Sequence, residues 1–237
     1  MKKIILFYIV LFLGYLPVSS QNNTFMQSSS TNNKLNRILV SPVYDGSDPS
    51  NLKDIKGSPY MSTDFQVGTV NAIKENVLIR YNAFNDLFEI KQGTDSILNL
   101  NKSNTNYVVK LSNYKFKSFA YSKDTKQEYS YFAFLTELDS TKTVLLKTMR
   151  KKLTKAQKAT NSYSQPKPAS FSSNTIDNYY ILNKNQEIID FKPKSKILYT
   201  LFPNIKTELK NYIKDKNIDL KTEEDLIKTF EYINTLN

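Results

Sequence analysis

The stretch ENVLIRYNAFNDLFEIKQGTD, residues 75–95, decides the fold class because it alternates between turn residues and short apolar runs. Its two runs, VLIRYN and LFEI, are rich in the aliphatic, β-branched and aromatic residues that favour strands. Asn85-Asp86 separates them, and Gly93 begins a turn after the second run, as tight turns require. The stretch therefore predicts two antiparallel strands joined as a hairpin.

Runs of the same kind continue on both sides of this hairpin. The further strands that we predict are 65–69, 97–100, 107–111, 114–121, 129–138, 142–153, 179–182 and 187–191. Short strands with turn residues between them are typical of an antiparallel β-meander that closes as a sandwich or open barrel. The run YSYFAFLTEL, 129–138, is apolar on both faces, so we expect a central strand or one whose second face the C-terminal segment covers.

The apolar period changes from that of strands to that of helices after Pro193. Thr222 suits a helix N-cap, and the three acids that follow it suit the positive end of the helix dipole. The apolar faces that we predict are formed by Ile197, Leu198, Leu201, Phe202, Leu209, Tyr212, Ile213, Leu226, Ile227, Phe230 and Ile233. The predicted fold class is α+β, mostly β, with two or three C-terminal helices packed on the meander.

Residues 1–20, MKKIILFYIVLFLGYLPVSS, have the features of a signal peptide. Lys2 and Lys3 precede an apolar run, and small residues end it. The run is too short for a membrane span of about 20 apolar residues. We therefore expect an exported protein that begins at Gln21 after cleavage and is not an integral membrane protein.

The rest of the chain divides by composition. Residues 21–37 are polar and low in complexity, which predicts a disordered linker. A β-rich domain is expected over 38–192, with a helical segment over 193–237 that packs on the same domain. Within the β-rich part, 154–175 is predicted to be a long loop.

The chain contains no Cys and no His, which excludes several classes of function. Thiol and imidazole nucleophiles, bases and metal ligands are absent, so Ser-His-Asp and Cys-His mechanisms cannot operate. We expect no enzymatic activity, no cofactor and no metal site. A carboxylate-based hydrolase remains the least favoured hypothesis, with acids available at Asp64, Glu75, Asp86, Glu89, Glu128 and Glu137.

A basic segment is the best candidate for a binding site. The net charge is +11, of which the signal peptide lysines contribute two, and residues 140–158 hold seven Lys or Arg and no acid. If this segment pairs with the strand 114–121, one positive patch results, suited to an anionic partner. The candidate residues are Lys115, Lys117, Lys147, Arg150, Lys151, Lys152, Lys155 and Lys158. The alternatives are the lysine bias of an AT-rich genome and a charged edge that discourages aggregation.

A second polar cluster is predicted at the hairpin itself and includes Arg80, Asn82, Asp86 and Glu89. A guanidinium can pair with a carboxylate across two strands, which places Arg80 opposite Glu89. We expect this cluster to be structural, stabilising the hairpin and its turn.

Four short motifs between residues 57 and 91 carry a resemblance. They are GSPY at 57–60, F-x-x-G at 65–68, RYN at 80–82 and ND at 85–86. The pattern resembles exported β-rich Bacteroidota proteins of unknown function, for which no activity is established. The resemblance implies a Gram-negative envelope, with the periplasm as the first expectation and the cell exterior as the second.

The function that we predict is that of a non-enzymatic binding or accessory protein of the envelope. Its basic face, 142–158, would contact an anionic lipid or glycan surface or an envelope protein; export argues against nucleic acid. The alternative is a carbohydrate-binding or glycan-uptake accessory protein, which would use exposed tyrosines. The two differ in salt dependence, because screening weakens contacts between exposed charges.

Overall fold

The computed structural model describes residues 39–40, 55–93, 96–123, 126–159, 161 and 163–236. The predicted signal peptide, 1–20, and the predicted linker, 21–37, lie outside these residues. The strands are β1 Leu39–Val40, β2 Gln66–Val70, β3 Val77–Asn82, β4 Leu87–Gln92, β5 Ser96–Leu100, β6 Val108–Leu111, β7 Tyr114–Lys123, β8 Lys126–Phe134, β9 Val144–Arg150, β10 Leu153–Thr154, β11 Ser170–Phe171, β12 Ile176–Leu182 and β13 Ile188–Phe191. The helices are α1 Ser195–Leu201, a 3-10 turn Pro203–Ile205, α2 Lys206–Asp215 and α3 Glu223–Leu236.

Within the described residues, eleven strands form one antiparallel sheet in the order β1-β5-β4-β3-β2-β6-β7-β8-β9-β12-β13. β10 and β11 pair separately as a small hairpin. The fold class is therefore α+β and mostly β, as the sequence predicts, with three helices near the C-terminal end. The loop predicted over 154–175 holds for most of its described residues. Its two sides are nevertheless joined by the pairing of β10 with β11 and by a bridge between Gln157 and Lys167.

β2 joins the two parts of the sheet by changing partner along its length. Its residues 66–68 pair with β3, whereas Thr69 and Val70 pair with β6. Gly68 lies at the change of partner, where a Cβ would come within 2.8 Å of the Lys110 carbonyl oxygen. Glycine permits this close approach, which lets the sheet fold over on itself.

The main core lies between the two parts of the folded sheet. It includes Ile79 and Phe88 from the first part and Phe116, Tyr131 and Met149 from the second. Phe88 contacts Phe116 and Tyr131 edge to face, with ring centroids 5.1 and 4.8 Å apart. These aromatic contacts hold one face of β7 and β8 against β3 and β4.

The opposite face of β7–β9 is covered by the curl of the sheet. Phe132 of β8 is fully buried there and contacts Tyr180 of β12 at 5.1 Å. Tyr121 of β7 also contacts Tyr180, and its hydroxyl donates to Asp190 of β13, although β8 and β9 lie between these strands in the sheet. Of the two alternatives that the sequence leaves open for this strand, the central position is confirmed, because β8 lies between β7 and β9. The curl of the sheet, and not the C-terminal helices, covers its second face.

The helices pack instead beyond the main core, on the face of β9, β12 and β13 that carries Leu145 and Ile181. Phe230 of α3 is fully buried and contacts Phe191 of β13 at 5.4 Å between ring centroids. Thr222 caps α3 as predicted, since its Oγ1 accepts a hydrogen bond from the Asp225 amide at 3.4 Å. Leu135 at the end of β8 packs against this helical layer.

Candidate functional site

The hairpin cluster predicted around Arg80 ties the hairpin to the chain before it. Arg80 Nε and Nη2 donate to one oxygen of Glu89, at 2.9 and 2.7 Å. Asn82 donates to the other Glu89 oxygen at 3.4 Å, and the guanidinium lies 3.8 Å from the ring centroid of Tyr60. Both charges are satisfied within the protein, which suits the structural role that the sequence predicts for these residues.

Asp86 does not belong to this cluster, contrary to the sequence prediction. It adopts the left-handed backbone, φ 57°, at the end of the β3–β4 turn, and its carboxylate lies among other partners. One oxygen accepts from the Tyr81 hydroxyl and from Arg150 Nη1, both at 2.6 Å. The other accepts from the Tyr131 amide at 3.2 Å and pairs with Lys102. Asp86 therefore connects β8, β9 and the β5–β6 loop.

The place where these groups meet is a seam between β8 and β9. The two strands pair at Ala133–Lys147 and Phe134–Leu146, and the Leu135 amide donates to the Leu145 carbonyl at 2.9 Å. From Lys147 towards the end of β9 they separate. Beyond that point the Lys151 amide donates to the Ala83 carbonyl at 3.0 Å, so the end of β9 leaves β8 for the β3–β4 turn. Arg150 fills the gap and also donates to Ser130 at 2.8 Å.

An open cleft of about 340 Å³ lies over this gap, and we call it the seam cleft. Its lining combines aromatic rings with amides, hydroxyls and charged groups. Its lining residues are Asn85, Asp86, Lys102, Tyr121, Glu128, Tyr129, Ser130, Phe132, Thr148, Arg150, Asn178 and Tyr180.

The seam shifts the pKa of several of its groups, among them Tyr81 and Lys102. Burial, together with the charge of Asp86, raises the pKa of the Tyr81 hydroxyl well above its ordinary value. Burial lowers the pKa of Lys102, although Asp86 opposes this shift. Tyr81 is therefore held as a neutral donor, and the ammonium of Lys102 is partly desolvated beside its partner.

Asp86 is poorly placed to act as the acid or nucleophile of a hydrolase. Both of its oxygens already accept hydrogen bonds from the protein. Glu128 is the other carboxylate that lines the cleft. In the part of the chain that the structure describes, no three acids converge as a metal centre would need.

Lys147 is not part of an open basic face, which corrects the sequence prediction. Strand alternation places it with Leu145 and Met149, and its side chain is only 3% exposed. It pairs with Glu223 of α3 and with Asp177 at 3.4 Å, and it donates to the Tyr114 hydroxyl at 3.1 Å. This lysine therefore anchors the last helix to the sheet.

The predicted single patch is also divided by the strand order. β8 lies between β7 and β9, so Lys115 and Lys117 do not neighbour the basic part of β9. Lys115 is opposite Phe134, which is opposite Leu146. Lys152 lies six residues after Leu146, and an extended chain of that length spans about 20 Å.

The remaining lysines lie together on the segment that contains β10 and β11. We call residues 151–171 the basic hairpin: it holds Lys151, Lys152, Lys155, Lys158 and Lys167 and no Asp or Glu. All but Lys151 are exposed, and the tip residue Tyr163 is 99% exposed. Lys151 is held at the base, where it donates to the Ser172 carbonyl at 2.8 Å.

The base of the basic hairpin is fixed to the folded domain. Phe171 is 6% exposed and contacts Phe84 edge to face at 5.2 Å. Its amide donates to the Lys56 carbonyl at 2.8 Å, and Gly57, with φ 85°, lies close enough for a Cβ to be 3.3 Å from the Phe171 oxygen. The lysines are therefore presented from an anchored support.

Comparison of the chain with known protein families, curated proteins and solved structures finds no match. Among the described residues, no helix is both long enough and apolar enough to cross a membrane.

Sequence reasoning missed the seam cleft. Lys102 lies in a polar loop, and nothing in the sequence around it indicates a partner. Its partner Asp86 comes close only because β4 pairs with β5 and Asp86 lies in the turn before β4. The sequence predicts strands at Tyr129 and Tyr180, but no feature of the residues around them indicates that both line the same cleft. Only one feature of the sequence could have predicted part of this arrangement. Side chains alternate between the two faces of a strand, so Lys147 and Arg150 of β9 must lie on opposite faces.

Proposed function

We propose that this protein is a non-enzymatic binding protein of the cell envelope that attaches to an anionic surface through its basic hairpin. The observation that carries the proposal is the collection of five lysines, without an acid, on one anchored hairpin. Lysines near a negatively charged lipid surface contribute about 1 kcal/mol each. The four exposed lysines among them also accelerate encounter with an anionic partner.

The tip of the basic hairpin supports a lipid surface as the partner. Tyr163 is 99% exposed, so it makes little contact with the rest of the domain. Tyrosine has an apolar ring and a polar hydroxyl, and such residues favour the boundary between lipid headgroups and water. A lysine-rich hairpin with a tyrosine at its tip therefore suits shallow contact with anionic headgroups.

The test is co-sedimentation with lipid vesicles of phosphatidylcholine, with and without phosphatidylglycerol, at low and high salt. The variant changes the four exposed lysines of the hairpin, Lys152, Lys155, Lys158 and Lys167, to Gln. We expect the unchanged protein to bind only the anionic vesicles, and binding to weaken at high salt. The variant should bind them at least about tenfold more weakly, since up to about 4 kcal/mol of attraction is removed.

A matched control distinguishes the effect of where the lysines lie from the effect of the protein's net charge. It changes four exposed lysines elsewhere, Lys184, Lys206, Lys210 and Lys216, to Gln, so that the net charge is the same. The control should retain most of the binding. Equal losses in both variants would mean that net charge alone attracts the protein, and salt-independent binding would contradict the proposal.

Localisation is part of the proposal, because the signal peptide motif supports export with the periplasm as the first destination. N-terminal sequencing of the protein from an envelope extract should begin at Gln21. A protein that keeps Met1 in the cytoplasm would contradict this part. Recovery of one defined envelope protein with the basic hairpin, rather than binding to vesicles, would favour the protein partner that the sequence also allows.

A further inference from the structure

The seam cleft has a preformed aromatic wall. Phe132 contacts Tyr121 and Tyr180 at 5.9 and 5.1 Å between ring centroids, and Tyr121 contacts Tyr180 at 5.6 Å. The three contacts are edge to face and fix one another, while Tyr129 at the opening is 40% exposed. Phe132 is itself fully buried, so a ligand would meet the partly exposed Tyr121 and Tyr180. Phe132 already holds these two rings in place, which lowers the entropy cost of binding.

The charges that line the cleft cancel. Asp86 and Glu128 are balanced by Lys102 and Arg150, and three of these four form the ion pairs of the seam. A ligand with a net charge would therefore be attracted by two of these groups and repelled by the other two, with no net electrostatic gain. A neutral ligand that both donates and accepts hydrogen bonds has partners of each kind.

Neutral polar groups add to this pattern. Asn85 and Asn178 carry amides that both donate and accept. The hydroxyl of Ser130 is engaged by Asp86 and Arg150, so it shapes the cleft from within the seam. The volume of about 340 Å³ is at the small end for ligand pockets, which suits one or two small rings.

We propose that the seam cleft binds a neutral pyranose sugar. The C–H groups on one face of such a ring carry slight positive charge and pack well on the negative face of an aromatic ring. Its hydroxyls can donate to Glu128 and can both donate to and accept from the amides of Asn85 and Asn178, which line the cleft. The cleft shares no lining residue with the basic hairpin, and the proposal does not depend on that proposed function.

The experiment is a saturation-transfer NMR titration of the unchanged protein with methyl pyranosides of glucose, galactose, mannose and N-acetylglucosamine. Glucuronate serves as the charged counterpart of the glucoside. We expect at least one neutral pyranoside to bind with the same affinity at low and high salt, and glucuronate to bind no better than the glucoside. Absence of binding by all four, or tighter binding of glucuronate, would overturn the proposal.

Variants at the opening locate the site. Tyr129→Ala should weaken binding about tenfold by removing an exposed ring, and Asn178→Ala should weaken it through a second exposed side chain on a different strand. The matched control is Tyr163→Ala, which removes an exposed tyrosine from the basic hairpin and should leave sugar binding unchanged. Unchanged binding in both cleft variants would place the sugar elsewhere and contradict the assignment.

Discussion

Asp86 shows how one residue can hold several elements together. Its left-handed backbone brings the carboxylate to Arg150, Lys102 and Tyr81, which belong to three different parts of the chain. The sequence predicted the turn at Asn85-Asp86 from its residue types, because turn chemistry is local. It did not predict the partners of Asp86, because these are up to 64 residues away along the chain.

Changing Asp86→Asn should destabilise the protein by about 2 to 3 kcal/mol, because Arg150 and Lys102 lose the charge that compensates them. Their side chains are 25% and 22% exposed, so water replaces only part of the lost interaction. Asparagine tolerates the left-handed backbone, so the turn is kept. Urea unfolding measures the change.

The control for this substitution is Glu224→Gln, which breaks an ion pair with Lys228 at a side chain that is 80% exposed. Its cost should be below about 0.5 kcal/mol, as for surface pairs in general. If Asp86→Asn costs no more than this control, the seam is not a stabilising network.

Stability should fall as the pH rises above about 10, the ordinary pKa of tyrosine. Burial raises the pKa of Tyr81, so the unfolded chain releases this proton first and gains stability relative to the folded chain. Burial alone would lower the pKa of Lys147, but its hydrogen bonds to Glu223 and Tyr114 outweigh burial and raise it. The raised pKa of Lys147 therefore also makes stability fall as the pH rises. Lys102 acts in the opposite direction, because burial lowers its pKa.

Urea unfolding between about pH 9 and about pH 11 measures this dependence. The Tyr81→Phe variant removes one of the titrating groups, so its stability should fall less steeply with pH over the same range. An equal slope in both proteins would show that Tyr81 does not contribute.

At the scale of elements, β2 decides how the sheet folds. The sequence predicted a strand at 65–69 and the strands around it, because the alternation of apolar residues is local. It did not predict that β2 pairs with β3 at one end and β6 at the other, since pairing depends on distant residues. The same limit explains why the sequence leaves open whether the strand 114–121 pairs with the basic segment, which β8 prevents.

Gly68→Ala should destabilise the protein by about 1 to 3 kcal/mol, as overpacked sites do. The new Cβ would lie 2.8 Å from the Lys110 carbonyl oxygen, which is fixed by the pairing of β6 with β2. The neighbouring change Val67→Ala is the control, since Val67 is 66% exposed, and should cost about 1 kcal/mol or less. Thermal unfolding compares the two; equal costs would contradict the close approach at Gly68.

At the scale of the whole molecule, the sheet presents two separate surfaces. The basic hairpin is anchored at the end of β9, and the seam cleft opens where β9 leaves β8. The sequence predicted the α+β class and the C-terminal helices, which rest on composition and periodicity. It did not predict the curl that brings Tyr121 to β13, because contacts of this kind depend on the packing of the entire sheet.

Amide hydrogen exchange of the intact protein with and without phosphatidylglycerol vesicles is the direct test of attachment through the basic hairpin. Mass spectrometry of peptides then shows which segment the surface protects. We expect protection over residues 151–171 at low salt, its loss at high salt and no change in α1–α3. Protection confined to the helices, or the same exchange everywhere with and without vesicles, would contradict attachment through the basic hairpin.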